Sequence, residues 1–121
     1  MRFTYHEHWA TRHHFDLRLE REDYVQSFAI PKGLPLKPHI RRLAIETEPH
    51  PFWILDFEGV IPEGYYGAGE MKIVDTGTYE ILKETPKELK IKFNGSKIKG
   101  VYVFVKYGKG NRWLVFRKNS I

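Results

Sequence analysis

His14-Phe15-Asp16-Leu17-Arg18-Leu19-Glu20 is the stretch on which the reading of this chain turns. In a strand, successive side chains point to opposite faces. Phe15, Leu17 and Leu19 then share one face and belong against a core, while His14, Asp16, Arg18 and Glu20 share the other. Such alternation marks an antiparallel strand with one face buried, and its ordinary meaning for the polar face is contact with water. The polar residues also allow a second meaning. His14 and Asp16 lie about 7 Å apart along the strand and can lean toward one cation. Arg18, one step further on, can hold an anionic oxygen of a ligand on that cation.

Outward from this strand the chain reads as β almost throughout. Phe3–Trp9, His14–Arg21, Tyr24–Ile30, Arg42–Thr47, Glu70–Val74, Thr78–Leu82, Leu89–Phe93, Val101–Tyr107 and Arg112–Arg117 are predicted strands. Asp75-Thr76-Gly77, Asn94-Gly95 and Gly108-Lys109-Gly110-Asn111 are predicted turns between them. No long segment carries a 3.6-residue apolar stripe, so helix is confined to short turns near Lys37–Arg41 and Pro86–Leu89. The expectation is a mainly β chain: a small single-domain β-barrel of about eight antiparallel strands, with residues 1–121 as one domain. Residues 49–69 are the least regular stretch, rich in Pro, Gly and aromatics, and such segments tend to carry function.

Composition narrows the chemistry. The 121 residues include no cysteine, which excludes disulfides, thiolate metal sites and cysteine nucleophiles. Any metal must be held by His, Asp or Glu. No apolar run approaches the length of a membrane span, and no charged leader with an apolar stretch opens the chain; no membrane partner and a cytoplasmic location are expected. The net charge of +5 is unevenly spread. Residues 1–82 carry 9 Lys/Arg and 13 Asp/Glu, whereas residues 83–121 carry 11 and 2. A basic C-terminal third is consistent with a polyanionic partner, and equally with a Lys-rich solvated face.

His6 and His8 share a face of the first predicted strand, and Thr11-Arg12 is a plausible turn that sets His8 across from His14. His8, His14 and Asp16 then form a two-histidine, one-carboxylate set that suits Mn²⁺, Fe²⁺, Co²⁺ or Zn²⁺. His6 is a candidate partner to that set from behind, and His13 faces away from it. Gly59–Gly69 lacks a Gly-Lys-Ser/Thr sequence and is no nucleotide phosphate loop; its glycines permit tight turns close to a site.

Four motifs carry a resemblance. They are His8-Trp-Ala-Thr-Arg-His-His14-Phe-Asp16-Leu-Arg18-Leu-Glu20, Ser27-Phe-Ala-Ile-Pro31-Lys32-Gly33, Arg42-Leu-Ala-Ile-Glu-Thr-Glu48-Pro-His50-Pro51 and Asp56-Phe-Glu-Gly-Val-Ile-Pro-Glu-Gly-Tyr-Tyr66-Gly-Ala-Gly69. In this order and spacing the chain resembles the 3′-phosphoesterase module of bacterial DNA ligase D, the end-joining repair ligase. The resemblance implies a small β-barrel enzyme using one divalent metal, typically Mn²⁺, with Zn²⁺ or Co²⁺ also accommodated. It implies removal of 3′-phosphates, and of 3′-terminal ribonucleosides, from DNA or DNA/RNA 3′ ends. The implied metal ligands fall on His8, His14 and Asp16, the phosphate-contacting pair on Arg18 and His50, the cations for monoester removal on Lys32 and Arg42, and an accessory acid on Glu48. Ile54 stands where the family has a tyrosine. Only seven residues precede His8, so the family's upstream arm is expected to be missing and the module to stand alone, as a monomer, beside a separate ATP-dependent DNA ligase and end-joining factors. Lys90 and Lys92 are expected to track a nucleic-acid backbone, and Trp53 and Tyr66 to stack on terminal bases. The alternative is a non-catalytic module that binds nucleic-acid ends through a degenerate metal site.

Overall fold

The protein is described by a computed structural model covering residues 1–119. Its strands are β1 (Arg2–Trp9), β2 (His13–Glu20), β3 (Val25–Ile30), β4 (Arg41–Glu46), β5 (Gly59–Ile61), β6 (Gly69–Glu84), β7 (Glu88–Gly95), β8 (Lys99–Lys106) and β9 (Arg112–Arg117). They pair antiparallel in the order β1-β2-β3-β4-β9-β8-β7-β6-β5, and β1 pairs back onto β6. Eight strands thus close into a barrel with no free edge, and β5 is an extra strand laid on β6. The expected all-antiparallel barrel is the observed one. Among the described residues no helix is long and apolar enough to cross a membrane.

The alternation in β2 fixes which face turns inward. Leu17 and Leu19 are fully buried inside the barrel with Phe3, Phe28, Phe104 and Val115. Aromatic edges fill the space, with Phe3 meeting Phe93 at 5.0 Å and Phe28 meeting Phe104 at 4.9 Å between ring centroids. A second, smaller core of Val25, Ile54, Leu55 and Met71 lies outside the barrel wall. It forms because residues 50–68 fold back over the outer face of β1–β3. The 3₁₀ turn Phe52–Asp56 sits in that segment. Helical turns were expected near Lys37–Arg41 and Pro86–Leu89, and both places hold non-helical turns instead.

Asp75-Thr76-Gly77 is not a hairpin. β6 runs unbroken through it for 16 residues, with a register shift where it passes Tyr5 and His6 of β1. The turn-forming residues serve a different purpose there. Gly77 lets the neighbouring strand approach, since a Cβ would collide with the main-chain oxygen of Asn94. Asp75, only 6% exposed, turns its carboxylate onto four backbone N–H groups: Thr76 at 2.9 Å, Ser96 at 3.1 Å, Lys97 at 2.9 Å and Ile98 at 2.7 Å. The tight β7–β8 turn, expected at Asn94-Gly95, is therefore tied from below by a side chain twenty residues away in the chain.

Burial alone would raise the Asp75 carboxyl, but the four N–H groups outweigh it and hold it below the usual carboxylate range. Its contribution to stability is present above that range and is lost as pH falls through the depressed value. Asp75→Ala is expected to cost about 3 kcal/mol of unfolding free energy at neutral pH, because several buried donors lose their acceptor. Asp75→Asn should cost less, and its deficit against the wild type should shrink on acidification to about pH 3. Denaturant titrations at the two pH values check both expectations.

Candidate metal and anion site

The polar face of β2 does not meet water. Asp16 is 4% and Arg18 2% exposed, because residues 50–68 cover them. Opposite them on β1 stand Thr4, His6 and His8, paired in register with Arg18, Asp16 and His14. These three hold the cover in place through its backbone. Thr4 Oγ1 donates to Leu55 O at 2.7 Å and His6 Nε2 donates to Phe57 O at 2.8 Å. His8 Nε2 lies 3.1 Å from both Gly67 O and Ala68 O. Gly69, at φ +122°, lets the returning chain pass so close to Trp9 that a side chain there would strike its carbonyl.

The carbonyl partners decide the histidine tautomers, since a carbonyl oxygen only accepts. His8 must carry its proton on Nε2, and His14, whose Nδ1 is 2.9 Å from Arg12 O, must carry its proton on Nδ1. In the neutral rings His8 Nδ1 and His14 Nε2 are then lone pairs, and they face each other at 3.1 Å. Asp16 places Oδ2 2.9 Å from the first and Oδ1 3.2 Å from the second. In that state four acceptors converge on one point, where either a cation or protons on the rings would reconcile them. Their ligating atoms all lie within 4.8 Å of one another, a donor set compatible with a divalent metal. The backbone carbonyls aim the rings in the way that outer-sphere partners aim metal-binding histidines.

Arg18 runs alongside. It donates through Nη2 to Asp16 Oδ2 at 3.1 Å, through Nη1 to Ser27 Oγ at 3.1 Å and through Nε to His6 Nδ1 at 3.4 Å. Its Nη1 also lies 3.4 Å from His50 Nε2. Burial would raise the Asp16 carboxyl, but His14, His8 and then the guanidinium together press it far below the usual range. Asp16 is therefore a carboxylate at any working pH. Burial lowers His6 to about 4, so that ring is neutral and its Nδ1 is free to accept from Arg18. Burial and the adjacent Arg18 likewise lower His50, whereas hydrogen bonding to Asp16 raises His14.

His50 reaches the site because its backbone pairs with Val25 at the start of β3, with both hydrogen bonds at 2.9 Å. The two motifs, distant in sequence, meet in a cleft of about 540 Å³ that exposes His8, His14, Asp16, Arg18, His50 and Tyr66. Tyr66 lies beside His50, with ring centroids 5.6 Å apart.

The remaining sequence candidates lie elsewhere. Lys32 and Arg42 line a separate hollow of about 500 Å³ at the barrel mouth, over Tyr5 and Phe15, which shares no wall residue with the metal cleft. Arg42 there donates to Lys32 O at 2.6 Å and Gly33 O at 3.2 Å. Glu48 borders a shallow depression with Tyr66 and Asn111. Trp53 is exposed and rests edge-on against Phe57. Lys90 and Lys92 stand on β7, which β6 separates from β1. Sequence reasoning did not single out Arg12, an exposed guanidinium of the β1–β2 turn that lines the cleft; its place between His8 and His14 was the available signal. The anchoring role of Thr4 had no signal at all, because it depends on where residue 55 comes to rest.

Fold and site together define a small closed β-barrel that bears, on its outer wall, one metal-fitting His₂–Asp group with a buried arginine beside it. The family is also apparent from comparison. A family model described as the DNA ligase D 3′-phosphoesterase domain matches residues 6–106. The chain is 43% identical over 96% of its length to the multifunctional non-homologous end joining protein LigD of Mycolicibacterium smegmatis, and 36% identical over 97% to that of Pseudomonas aeruginosa. The chain belongs to the DNA ligase D 3′-phosphoesterase domain family. It spans about 16% of the first relative's length and 15% of the second's.

Metal binding is expected to show as stabilisation, since the folded site alone assembles the ligands. A divalent cation at a hundred times its Kd adds about 2.7 kcal/mol. The melting point should rise with added Mn²⁺ and fall back with chelator. His14→Ala, at the half-buried edge of the group, and Asp16→Asn should both abolish the rise, while Lys92→Ala should keep it.

Proposed function

We propose that this domain is a divalent-metal-dependent phosphoesterase that heals DNA 3′ ends, removing 3′-phosphates and 3′-terminal ribonucleosides to leave 3′-hydroxyls. The observation that carries this reading is Arg18, a buried guanidinium lining the same cleft as the ring nitrogens of His8 and His14 and the Asp16 carboxylate. A cation site beside a fixed planar donor suits a tetrahedral oxyanion, and relatives named for non-homologous end joining support a role at broken DNA ends. His8, His14 and Asp16 would hold the metal, Mn²⁺ in this reading, with Zn²⁺ or Co²⁺ fitting the same donors. When bound, it supplies Lewis-acid polarisation of the phosphoryl group.

The chain's own groups do the rest. Arg18 is held by Asp16, Ser27 and His6 on one side, so its orientation is set before substrate arrives. Phosphate oxygens displace the weak His50 contact and take donors from Arg18. A phosphate dianion beside His50 favours the imidazolium, which burial and Arg18 disfavour in the free protein. That proton goes to the leaving O3′ as water oxygen bonds to phosphorus and the P–O3′ bond breaks. Arg12 adds charge at the rim. Lys32 and Arg42 act from their separate hollow by raising the positive potential felt by a terminal dianion, and Glu48 borders a depression that shares Thr47 and Tyr66 with the metal cleft. Lys90 and Lys92, on the other side of β6, guide the polyanion to the barrel. The hydroxyl end produced is what an ATP-dependent DNA ligase requires, so we place the domain, as a cytoplasmic monomer, beside a ligase and end-joining factors.

Incubating a 3′-phosphate primer and a 3′-ribonucleotide primer with Mn²⁺, Zn²⁺ or Co²⁺ tests the reading. Phosphate release from the first is expected, and its absence with every metal would overturn it in favour of an end-binding module. Arg18→Ala should lower turnover by at least about 10²-fold while the metal-induced melting shift persists. Arg18→Lys should also be poor, because a point charge does not replace a planar fork. Lys32→Ala or Arg42→Ala should reduce phosphatase activity more than ribonucleoside removal, since a terminal monoester carries more negative charge than a diester; equal losses would refute that assignment.

A further inference from the structure

A second cleft of about 550 Å³ lies beside the metal cleft, and the two share His50, Tyr66, Gly67 and Met71 as walls. The second cleft is apolar and aromatic: Pro51, Trp53, Ile61, Pro62 and Tyr65 complete its sides, and Ile54, 2% exposed, contributes from beneath. No Asp, Glu, Lys or Arg lines it. Yet its aromatics are among the most exposed in the protein, Trp53 at 57%, Tyr65 at 70% and Tyr66 at 66%. Large rings held open to water around a concave apolar floor indicate an occupant that is flat, apolar on its faces and supplied by something else.

We infer that this cleft is the subsite for the nucleobase of the terminal nucleotide, the one whose 3′ oxygen carries the scissile phosphate, and that it takes this base unpaired and by its faces. The inference rests on the phosphoesterase reading of the adjoining site. A phosphate held at Arg18 and His50 brings its own nucleoside past the shared wall, and Tyr66 and His50 lie at that junction. The walls offer ring faces and few hydrogen-bonding groups, so they accept any base with little preference. Ring faces on more than one side suit a single base taken by its faces better than a base pair, so the terminal base enters by leaving the duplex stack. Frayed, mismatched or single-stranded 3′ ends are then bound better than a perfectly paired blunt end. Trp53 and Tyr65 are positioning residues in this account, remote from the metal group.

The test separates base binding from chemistry. A 3′-phosphorylated oligonucleotide with 2-aminopurine as its terminal base is mixed with the full chain in the presence of chelator. Its fluorescence should be quenched on binding, while the same label five nucleotides inward should respond little. Trp53→Ala and Tyr65→Ala should each weaken the quenching, and Trp53→Phe should restore most of it. In steady-state assays with metal, an abasic terminal nucleotide should raise KM by about tenfold with kcat nearly unchanged, and a mismatched terminal pair should lower KM relative to a matched one. No quenching of the terminal label, or equal KM for abasic and base-bearing ends, overturns the inference. Quenching without phosphate release under any metal leaves the base subsite standing and removes the phosphoesterase reading instead.

Discussion

A buried guanidinium sets the terms for this structure. Arg18 is 2% exposed, and a charge taken that far from water is tolerated only where every face finds a partner. Asp16, Ser27, His6 and the edge of His50 supply those partners, and each comes from a different place in the chain. His6 must be neutral to accept from Arg18, and it is neutral because it is buried and its other nitrogen is committed to Phe57 O. Asp16 must be ionised, and it is, because Arg18 and two histidines surround it. Moving any one of these groups would leave a buried charge or an orphaned donor in its neighbours.

The cover over this layer is held by backbone carbonyls rather than by apolar packing alone. Leu55, Phe57, Gly67 and Ala68 all present main-chain oxygens to side chains of β1. Segment 50–68 can therefore vary in side chain while still orienting His8. The small core of Val25, Ile54, Leu55 and Met71 closes the gap from the other side. Ile54 belongs to that core and fills it with apolar volume.

Much of this was legible in the sequence, and particular residues show why the rest was not. Strand alternation identified Leu17 and Leu19 as interior, because period two is a local property. The His8–His14–Asp16 group was legible because a short hairpin places its members in register. The same alternation pointed to water for Arg18 and Asp16, and was overruled by a distant segment whose position no local pattern encodes. Asp75-Thr76-Gly77 satisfied a turn rule and yet lies inside a strand, since Asp75 serves another turn and Gly77 admits a neighbouring strand. Lys32 and Arg42 are nearby in sequence to site residues but face the barrel mouth, a difference of side that spacing alone does not fix.

Closure of the barrel by β1 against β6 has a consequence for how the molecule comes into being. Arg2 finds Thr78, and Phe3 finds Gly77, so β1 waits for the chain past residue 78 to be made before its free edge is covered. Until then the β1–β2–β3 meander offers an unpaired edge and an uncovered apolar face, the condition in which sheets recruit other chains. Contacts of such long sequence separation also slow folding, because loop-closure entropy must be met before they form. His8 lies between both partners, paired to His14 on one edge and Met71 on the other. The ring of His8 is thus aimed by Gly67 O and Ala68 O only when the segment leading into β6 arrives, in the same late step that seals the barrel.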